Sequence, residues 1–82
     1  MNSFIPKLTS GQRAVIFAEV DTGILLTPAG QRHTGVETCY KIFNSEEEAV
    51  VFAKIYVEEH PKIDCSIRDE NGNHIKFVTK QS

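Results

Sequence analysis

The chain contains two cysteines and three histidines, the side chains that most often bind zinc, and a cysteine can also act as a nucleophile. They are Cys39, Cys65, His33, His60 and His74. A zinc site requires such ligands at short, clustered spacings, and the sequence has neither a C-x-x-C nor an H-x-x-x-H pair. Both cysteines fall in segments that are predicted to be strands, where a thiol is far more often a core side chain than a nucleophile. We therefore predict no metal site and no cofactor.

A second candidate for chemistry is the tripeptide Asp21-Thr22-Gly23, which resembles the active-site signature of aspartic proteases. In the small viral members of that family, one aspartate from each of two subunits shares a proton and activates water. The other family features are missing, because Ile24 stands where a small residue is usual and no glycine-rich flap is present. No phosphate-binding glycine loop, G-x-S-x-G or dinucleotide motif appears either. We interpret the tripeptide as a hairpin turn and predict that the protein is not an enzyme.

The composition is that of a small globular domain. The 82 residues are enough for one domain, 1–82, and 40% of them are apolar while 24% are charged. A net charge of −2 argues against a general nucleic-acid binder, which needs a basic surface to neutralise phosphates. No apolar stretch could span a membrane, and the N-terminus lacks the features of a signal peptide. We expect a cytoplasmic protein with reduced thiols. A Cys39–Cys65 disulfide is the alternative if the strands that carry the two cysteines are neighbours.

Apolar alternation and turn signals predict the element order β-β-β-α-β-β. Strands are expected at 13–20, 24–28, 36–43, 63–69 and 73–79, and a helix between Ser45 and His60. Residues 1–12 form an irregular lead-in, with a short strand near 4–8. The fold class is then α+β, a single domain with a largely antiparallel five-stranded sheet and one helix packed on one face.

The first hairpin sets which side of the first strand faces the core. A three-residue loop that ends in a left-handed Gly23 would place Val20 opposite Ile24 and Ala18 opposite Leu26. In this register the core face of the first strand consists of every second residue: Ala14, Ile16, Ala18 and Val20.

The same register leaves a second apolar face on the sheet. Its members are Val15, Phe17, Leu25 and Val78. One helix covers only one side of a sheet, so this outer face must be closed by the lead-in, by a partner or by a second copy of the chain. A homodimer that pairs through Val15, Phe17 and Leu25, with or without a small ligand between the subunits, is therefore the alternative function.

The last hairpin offers two registers. A two-residue turn at Asn71-Gly72 would place Ile67 opposite Lys76. A three-residue loop, Glu70-Asn71-Gly72, would place Ile67 opposite Ile75 and Cys65 opposite Phe77. Apolar pairing favours the three-residue loop.

The helix carries five glutamates, three at its start and two at its end. Ser45 followed by Glu48 predicts an N-terminal capping box, and Glu46 and Glu47 suit the positive end of the helix dipole. Glu58 and Glu59 lie at the negative end, where each costs about 0.3–1 kcal/mol. Local helix energetics therefore explains the first three glutamates and not the last two.

Helical periodicity places an apolar ridge on the side of the helix opposite the sheet. The sheet-facing residues are Ala49, Val50, Phe52, Ala53, Tyr56 and Val57. Val51 and Ile55 lie nearly opposite, between Glu47, Glu58 and Glu59. An apolar centre with an acidic rim suits a basic protein partner. The alternative is that the lead-in or a loop covers Val51 and Ile55, and that the glutamates simply solvate the helix.

One segment of the chain resembles a known class of proteins. The stretch 41–75, KIFNSEEEAVVFAKIYVEEHPKIDCSIRDENGNHI, is similar to small immunity proteins of bacterial polymorphic-toxin systems, which include Rhs, contact-dependent and type VI effectors. Many of these proteins are short acidic α+β domains in which a capped helix precedes a D-x-x-G hairpin, here Asp69 to Gly72. The resemblance implies a protein that neutralises its cognate toxin by one-to-one binding over the active or target-binding site, which is often a basic cleft. It transfers no individual contact residue.

Overall fold

A computed structural model of the chain describes residues 8–28, 30–32 and 40–80. Its elements are β1 (Arg13–Glu19), β2 (Leu25–Leu26), β3 (Tyr40–Phe43), α1 (Glu46–Glu59), β4 (Ile63–Arg68) and β5 (His74–Val78). The predicted order β-β-β-α-β-β and the α+β class are confirmed. Two parts of the prediction lie outside the described residues: positions 4–7 of the lead-in strand and 36–39 of the third strand.

The five strands form one antiparallel sheet with β1 at its centre. β4 pairs with one edge of β1 along most of its length, from Ala14 to Glu19. The other edge is shared, because β3 pairs with the first half of β1 and β2 pairs with Phe17 and Ala18. β5 pairs with the far edge of β4. In the described part of the chain, β5 is therefore an edge strand.

The helix begins and ends where the sequence predicts. The Ser45 side chain accepts a hydrogen bond from the Glu48 backbone N–H at 3.2 Å. The Glu48 carboxylate in turn accepts from the Asn44 N–H at 3.3 Å, one residue before the partner that a capping box normally uses. His60 is the C-cap, and its N–H donates to the carbonyl of Tyr56. Among the described residues, no helix is long and apolar enough to cross a membrane.

The core lies between α1 and one face of the sheet. Four helix residues are buried there: Ala49, Ala53, Tyr56 and Val57. The sheet contributes Val15, Phe17, Leu26, Ile63, Cys65, Ile67 and Val78. The Phe17 ring packs against Tyr56 at a centroid distance of 4.8 Å and meets Phe52 edge-on at 6.1 Å. The sheet-facing side of the helix is therefore the predicted one.

The predicted orientation of β1 is wrong. Val15 and Phe17 were expected on the outer face, yet both are fully buried against the helix. Ala14 and Ile16 point to the opposite face and are also buried. Because β1 is central and apolar on both sides, its alternation contains no information about which side meets the helix.

The error in β1 comes from the length of the first turn. The Glu19 N–H donates to the carbonyl of Ile24 at 2.9 Å, so the loop contains the four residues 20–23 and not three. Phe17 therefore lies opposite Leu26, and Ala18 lies opposite Leu25. A shift of one residue moves every side chain of the strand to the other face. The left-handed conformation of Gly23 is as predicted, with φ of 73°.

The last hairpin combines features of the two predicted registers: it has the three-residue loop of one and the Ile67–Lys76 pair of the other. The Asp69 N–H donates to the carbonyl of Asn73, and Gly72 has φ of 81°, as expected for the three-residue loop. A β-bulge then shifts the ladder, so that Arg68 lies opposite His74 while Ile67 lies opposite Lys76. The predicted pairs Ile67–Ile75 and Cys65–Phe77 are wrong, because the bulge absorbs one residue of β5.

Arg13 fixes the start of the helix over the sheet. Its guanidinium Nη1 lies 3.0 Å from a carboxylate oxygen of Glu70 in the last hairpin. Its Nε lies 3.5 Å from a carboxylate oxygen of Glu46, in the first turn of α1. One largely buried cation therefore connects β1, the helix N-terminus and the β4–β5 turn. This contact orients the outer side of α1.

Candidate functional site: the outer side of the helix

The outer side of α1 presents an apolar centre between acidic ends. We define the α1 ridge as Glu47, Val51, Ile55, Glu58 and Glu59, all of which are exposed. Val51 and Ile55 retain 52% and 56% of their accessible surface. One turn of helix separates them, which makes their side chains neighbours on the surface. The arrangement expected from the sequence is therefore present as a surface feature.

A groove that the sequence reasoning missed extends the apolar centre towards the sheet. It has a volume of about 460 Å³ and is lined by Phe43, Glu47, Glu48, Val51 and Phe52. The rings of Phe43 and Phe52 lie 4.9 Å apart between centroids, and both are only partly buried. The available signal was the position of Phe43 at the end of its strand, directly before the helix cap. An apolar side chain from a partner would fit beside Val51 in this groove.

The charges around the α1 ridge are mainly acidic, and Lys54, four residues before Glu58, is the one exposed cation of the helix. Glu47 and Glu48 flank the first half, Glu58 and Glu59 flank the second half, and the last turn contains no basic residue. The ion pairs within the described residues involve Arg13 and Arg32, and none involves Glu58 or Glu59. Such a surface favours a cationic partner and repels an acidic one.

One cation borders the groove on the strand side. The Lys41 ammonium lies 5.8 Å from the ring centroid of Phe52 and 6.0 Å from that of Phe43. An ammonium group at this distance is attracted by the ring quadrupole. Lys41 therefore places one positive charge at the strand side of the groove.

The candidate nucleophile Cys65 is a core thiol. It is fully buried beneath α1, as the sequence predicts. Burial raises the pKa of the Cys65 thiol to about 12, and the adjacent Asp64 carboxylate adds to the rise. A thiol that stays protonated at neutral pH is inert as a nucleophile. Cys39 and the question of a disulfide lie outside the described residues.

The buried thiol predicts a loss of stability in alkaline solution. In the unfolded chain the thiol ionises near its ordinary pKa of 9.0, whereas the folded protein retains the proton up to about pH 12. The unfolded state therefore binds fewer protons in this window. Below pH 9 the buried thiol contributes its full share to the free energy of unfolding. That share is lost as the pH rises from 9 towards 12, where the equilibrium constant for unfolding increases by up to about tenfold per pH unit.

The measurement is urea unfolding of the wild type and of Cys65→Ala at pH 7 to 11 under reducing conditions. Groups that do not interact with Cys65 titrate alike in both proteins, so their effects cancel in the difference. Tyr56 is the exception, because burial and the charge of Cys65 raise its pKa. We expect the wild type to be more stable at pH 7 and the gap to narrow above pH 9. A gap that stays constant to pH 11 would show that the thiol ionises with an unperturbed pKa.

The other candidates for chemistry are placed apart. Asp21-Thr22-Gly23 forms the exposed first turn, where the Thr22 hydroxyl donates to the Glu19 carboxylate at 2.6 Å. That bond, together with Arg32, lowers the pKa of Glu19. His60 and His74 are exposed, and His33 lies outside the described residues. No group of three or more His, Cys, Asp or Glu side chains with metal-binding geometry occurs in the described part of the chain.

The outer sheet face differs from the one proposed for a homodimer. Val15 and Phe17 are inaccessible, and only Leu25 of that set keeps partial exposure. The prediction of a dimer surface formed by Val15, Phe17 and Leu25 is therefore wrong for Val15 and Phe17. A second copy could contact these two side chains only if the core unfolded. On the actual outer face, Ala14 and Ile16 are already buried within the monomer.

The chain was compared with protein-family models, with curated proteins and with solved structures. None of the three comparisons gives a match.

Proposed function

We propose that this protein is a non-catalytic, cytoplasmic binding domain that neutralises a cognate bacterial toxin by one-to-one association. The α1 ridge is the contact surface in this proposal. The toxin domain presents a basic cleft, and the bound helix occludes the active or target-binding site. No nucleic acid, membrane or cofactor takes part.

The observation that carries the proposal is the exposure of Val51 and Ile55 at the centre of an acidic helix surface. Burial of these two exposed β-branched side chains by a partner would contribute favourably to the binding free energy. The groove beside Val51 supplies the concave feature that an interface centre usually contains. Residues in such a position are the ones whose removal costs most binding free energy.

The charge at the C-terminal end of the helix supports the same surface. Glu58 and Glu59 oppose the helix dipole, and no ion pair among the described residues compensates them. A basic partner would attract the carboxylates of Glu58 and Glu59, and this attraction would raise the association rate. The resemblance of segment 41–75 to immunity proteins supplies the class of partner.

The experiment that tests the proposal begins with a candidate toxin. The tagged protein and a Val51→Lys/Ile55→Lys variant are used to capture proteins from the source cells. A basic protein held by the wild type and released by the variant is then expressed alone and together with the chain. The proposal requires that this protein be toxic alone, that co-expression of the wild type restore growth, and that the complex be one-to-one by light scattering. A captured protein that is harmless alone, or a complex that the variant retains, would refute it.

The glutamates at the end of the helix carry a separate kinetic prediction. We expect Glu58→Gln/Glu59→Gln to slow association about 3- to 10-fold at low salt and to flatten its salt dependence, because long-range attraction is removed. The free protein should be equally or slightly more stable, since the dipole is relieved. Stopped-flow association at several salt concentrations measures the effect. Asp21→Asn, which removes one exposed carboxylate at the first turn, is the control, and equal effects from both variants would exclude a ridge-specific role.

A further inference from the structure

The edge strand β5 forms a second surface, whose groove borders the α1 ridge at Glu58. β5 pairs with β4 on one side, and no described strand pairs with its other side. Alternate backbone N–H and C=O groups of an edge strand point outward and can accept another strand. Phe77, the penultimate residue of β5, retains 56% of its accessible surface. Within residues 8–28, 30–32 and 40–80, the backbone of this edge has no pairing strand and Phe77 is exposed.

A groove runs along this edge between β5 and the second half of the helix. Its volume is about 380 Å³, and its lining includes Lys54, Val57 and Glu58 from α1 and Lys76 and Val78 from β5. Val57 and Val78 are buried and form an apolar floor. Lys54 and Lys76 are exposed, and neither takes part in the ion pairs of the described residues. The groove is thus apolar below and mainly cationic at its rim.

The two sides of β5 differ in chemistry. Lys76 and Val78 point to the helix side, because Val78 belongs to the core. Phe77 lies opposite Ser66 and points to the other side. A strand added next to β5 would place its own side chains alternately on these two sides. One set would meet Lys54 and Lys76, and the other would meet Phe77.

From this arrangement we infer that β5 binds an extended segment of a protein partner in which acidic residues alternate with apolar ones. Carboxylates on the helix side pair with Lys54 and Lys76, and aliphatic or aromatic side chains on the other side cover Phe77. The backbone of β5 can form hydrogen bonds with a bound segment of any sequence. Specificity comes from the alternation of acidic and apolar side chains in that segment. This inference does not depend on the proposed function of the α1 ridge.

A second copy of the chain is a poorer occupant of the same edge. Pairing of β5 with β5 would bring together two strands that each carry His74 and Lys76, with Lys80 directly beyond. Like charges on adjacent strands are destabilising, and lysine on an edge strand commonly prevents self-association. An acidic segment reverses the sign of this interaction.

The test selects displayed random octapeptides against the folded protein and measures the best one by calorimetry. We expect enriched peptides to alternate Asp or Glu with apolar residues. We expect Lys76→Glu to weaken binding about 5- to 30-fold and Lys76→Gln to have an intermediate effect, since reversal removes one attraction and adds one repulsion. Val51→Ala/Ile55→Ala, on the α1 ridge, should leave the affinity unchanged. Amide shifts in ¹⁵N spectra should be largest for residues 74–78.

Each of four results would overturn the inference. They are the absence of any enriched peptide, enrichment without acidic alternation, equal affinity for the wild type and Lys76→Glu, and amide shifts concentrated on α1 residues 47–55. Circular dichroism of the Lys76 variants establishes that a weaker affinity comes from the lost charge and not from unfolding. Because the α1 ridge is acidic, an acidic peptide that binds there is disfavoured from the start.

Discussion

Replacement of Phe17 by alanine is expected to lower the free energy of unfolding by about 3–5 kcal/mol, as for other buried aromatic residues. Phe17 has no accessible surface and packs against Phe52 and Tyr56 of the helix. Its removal leaves a cavity beneath α1 that small neighbours such as Ala49 and Ala53 are too short to fill. A domain of this size has a total stability of about 5–10 kcal/mol, so the variant should be unfolded at moderate urea concentrations.

Phe77→Ala is the matched control for Phe17→Ala. It removes the same side chain from another strand of the same sheet, at a position that is 56% exposed. We expect a loss below about 1 kcal/mol there. Urea unfolding followed by circular dichroism measures both. Similar losses at the two positions, or a larger loss at Phe77, would contradict the placement of Phe17 against the helix and would favour the register in which Ala18 lies opposite Leu26.

The orientation of β1 could not be obtained from the sequence because the strand is central. Four consecutive residues, 14–17, are buried, so apolar character does not distinguish the helix side from the outer side. The deciding variable is the length of the first turn, and a left-handed Gly23 fits both a three-residue and a four-residue loop. The four-residue turn is favoured over the three-residue turn because it lets Phe17 and Leu26 pack beneath α1. This packing involves residues far apart in the sequence, so a local sequence pattern does not predict it.

The last hairpin illustrates a different limit. The loop Glu70–Gly72 was predictable because the turn needs a left-handed residue and Gly72 supplies it. The bulge beyond it was not predictable, since it depends on the fit between β4 and β5 over several residues. As a consequence, Lys76 lies opposite Ile67 and beside the helix groove. The cationic rim of that groove is therefore a product of the bulge.

The helix was predicted almost completely because its signals are local. The cap at Ser45, the end before Pro61 and the sheet-facing residues all follow from spacing within one element. The α1 ridge follows from the same spacing. The adjoining groove was missed because Phe43 comes from another element, and its position beside Phe52 requires the sheet.

The two surfaces of the domain have opposite charge and lie on different elements. The α1 ridge is acidic at both ends, whereas the β5 edge carries Lys76 and faces Lys54 across its groove. With a net charge of −2, the molecule as a whole does not reveal this division. Glu58 belongs to the α1 ridge and also lines the β5 groove, so the two surfaces meet at this residue.

Replacement of Val51 and Ile55 by lysine is expected to weaken binding of the proposed toxin partner by at least about 100-fold. The change removes the apolar centre of the α1 ridge and places cations where the proposed partner is basic. Two central interface residues commonly contribute more than 1 kcal/mol each, and the added repulsion increases the loss. The stability of the free domain should stay within about 0.5 kcal/mol of the wild type, because both positions are exposed and lysine is a better helix former than valine or isoleucine.

Val20→Lys/Ile24→Lys supplies a control with the same residue types. These side chains are 47% and 38% exposed at the first turn, away from the helix. The control adds the same charge and removes a similar apolar area, so it reports any general effect of a more basic protein. Calorimetric titration of the identified toxin with each variant measures the difference. If both pairs weaken binding equally, the loss is due to overall charge and the α1 ridge is not the interface. If only the Val51/Ile55 pair does so, the apolar centre of the helix is the contact that holds the toxin.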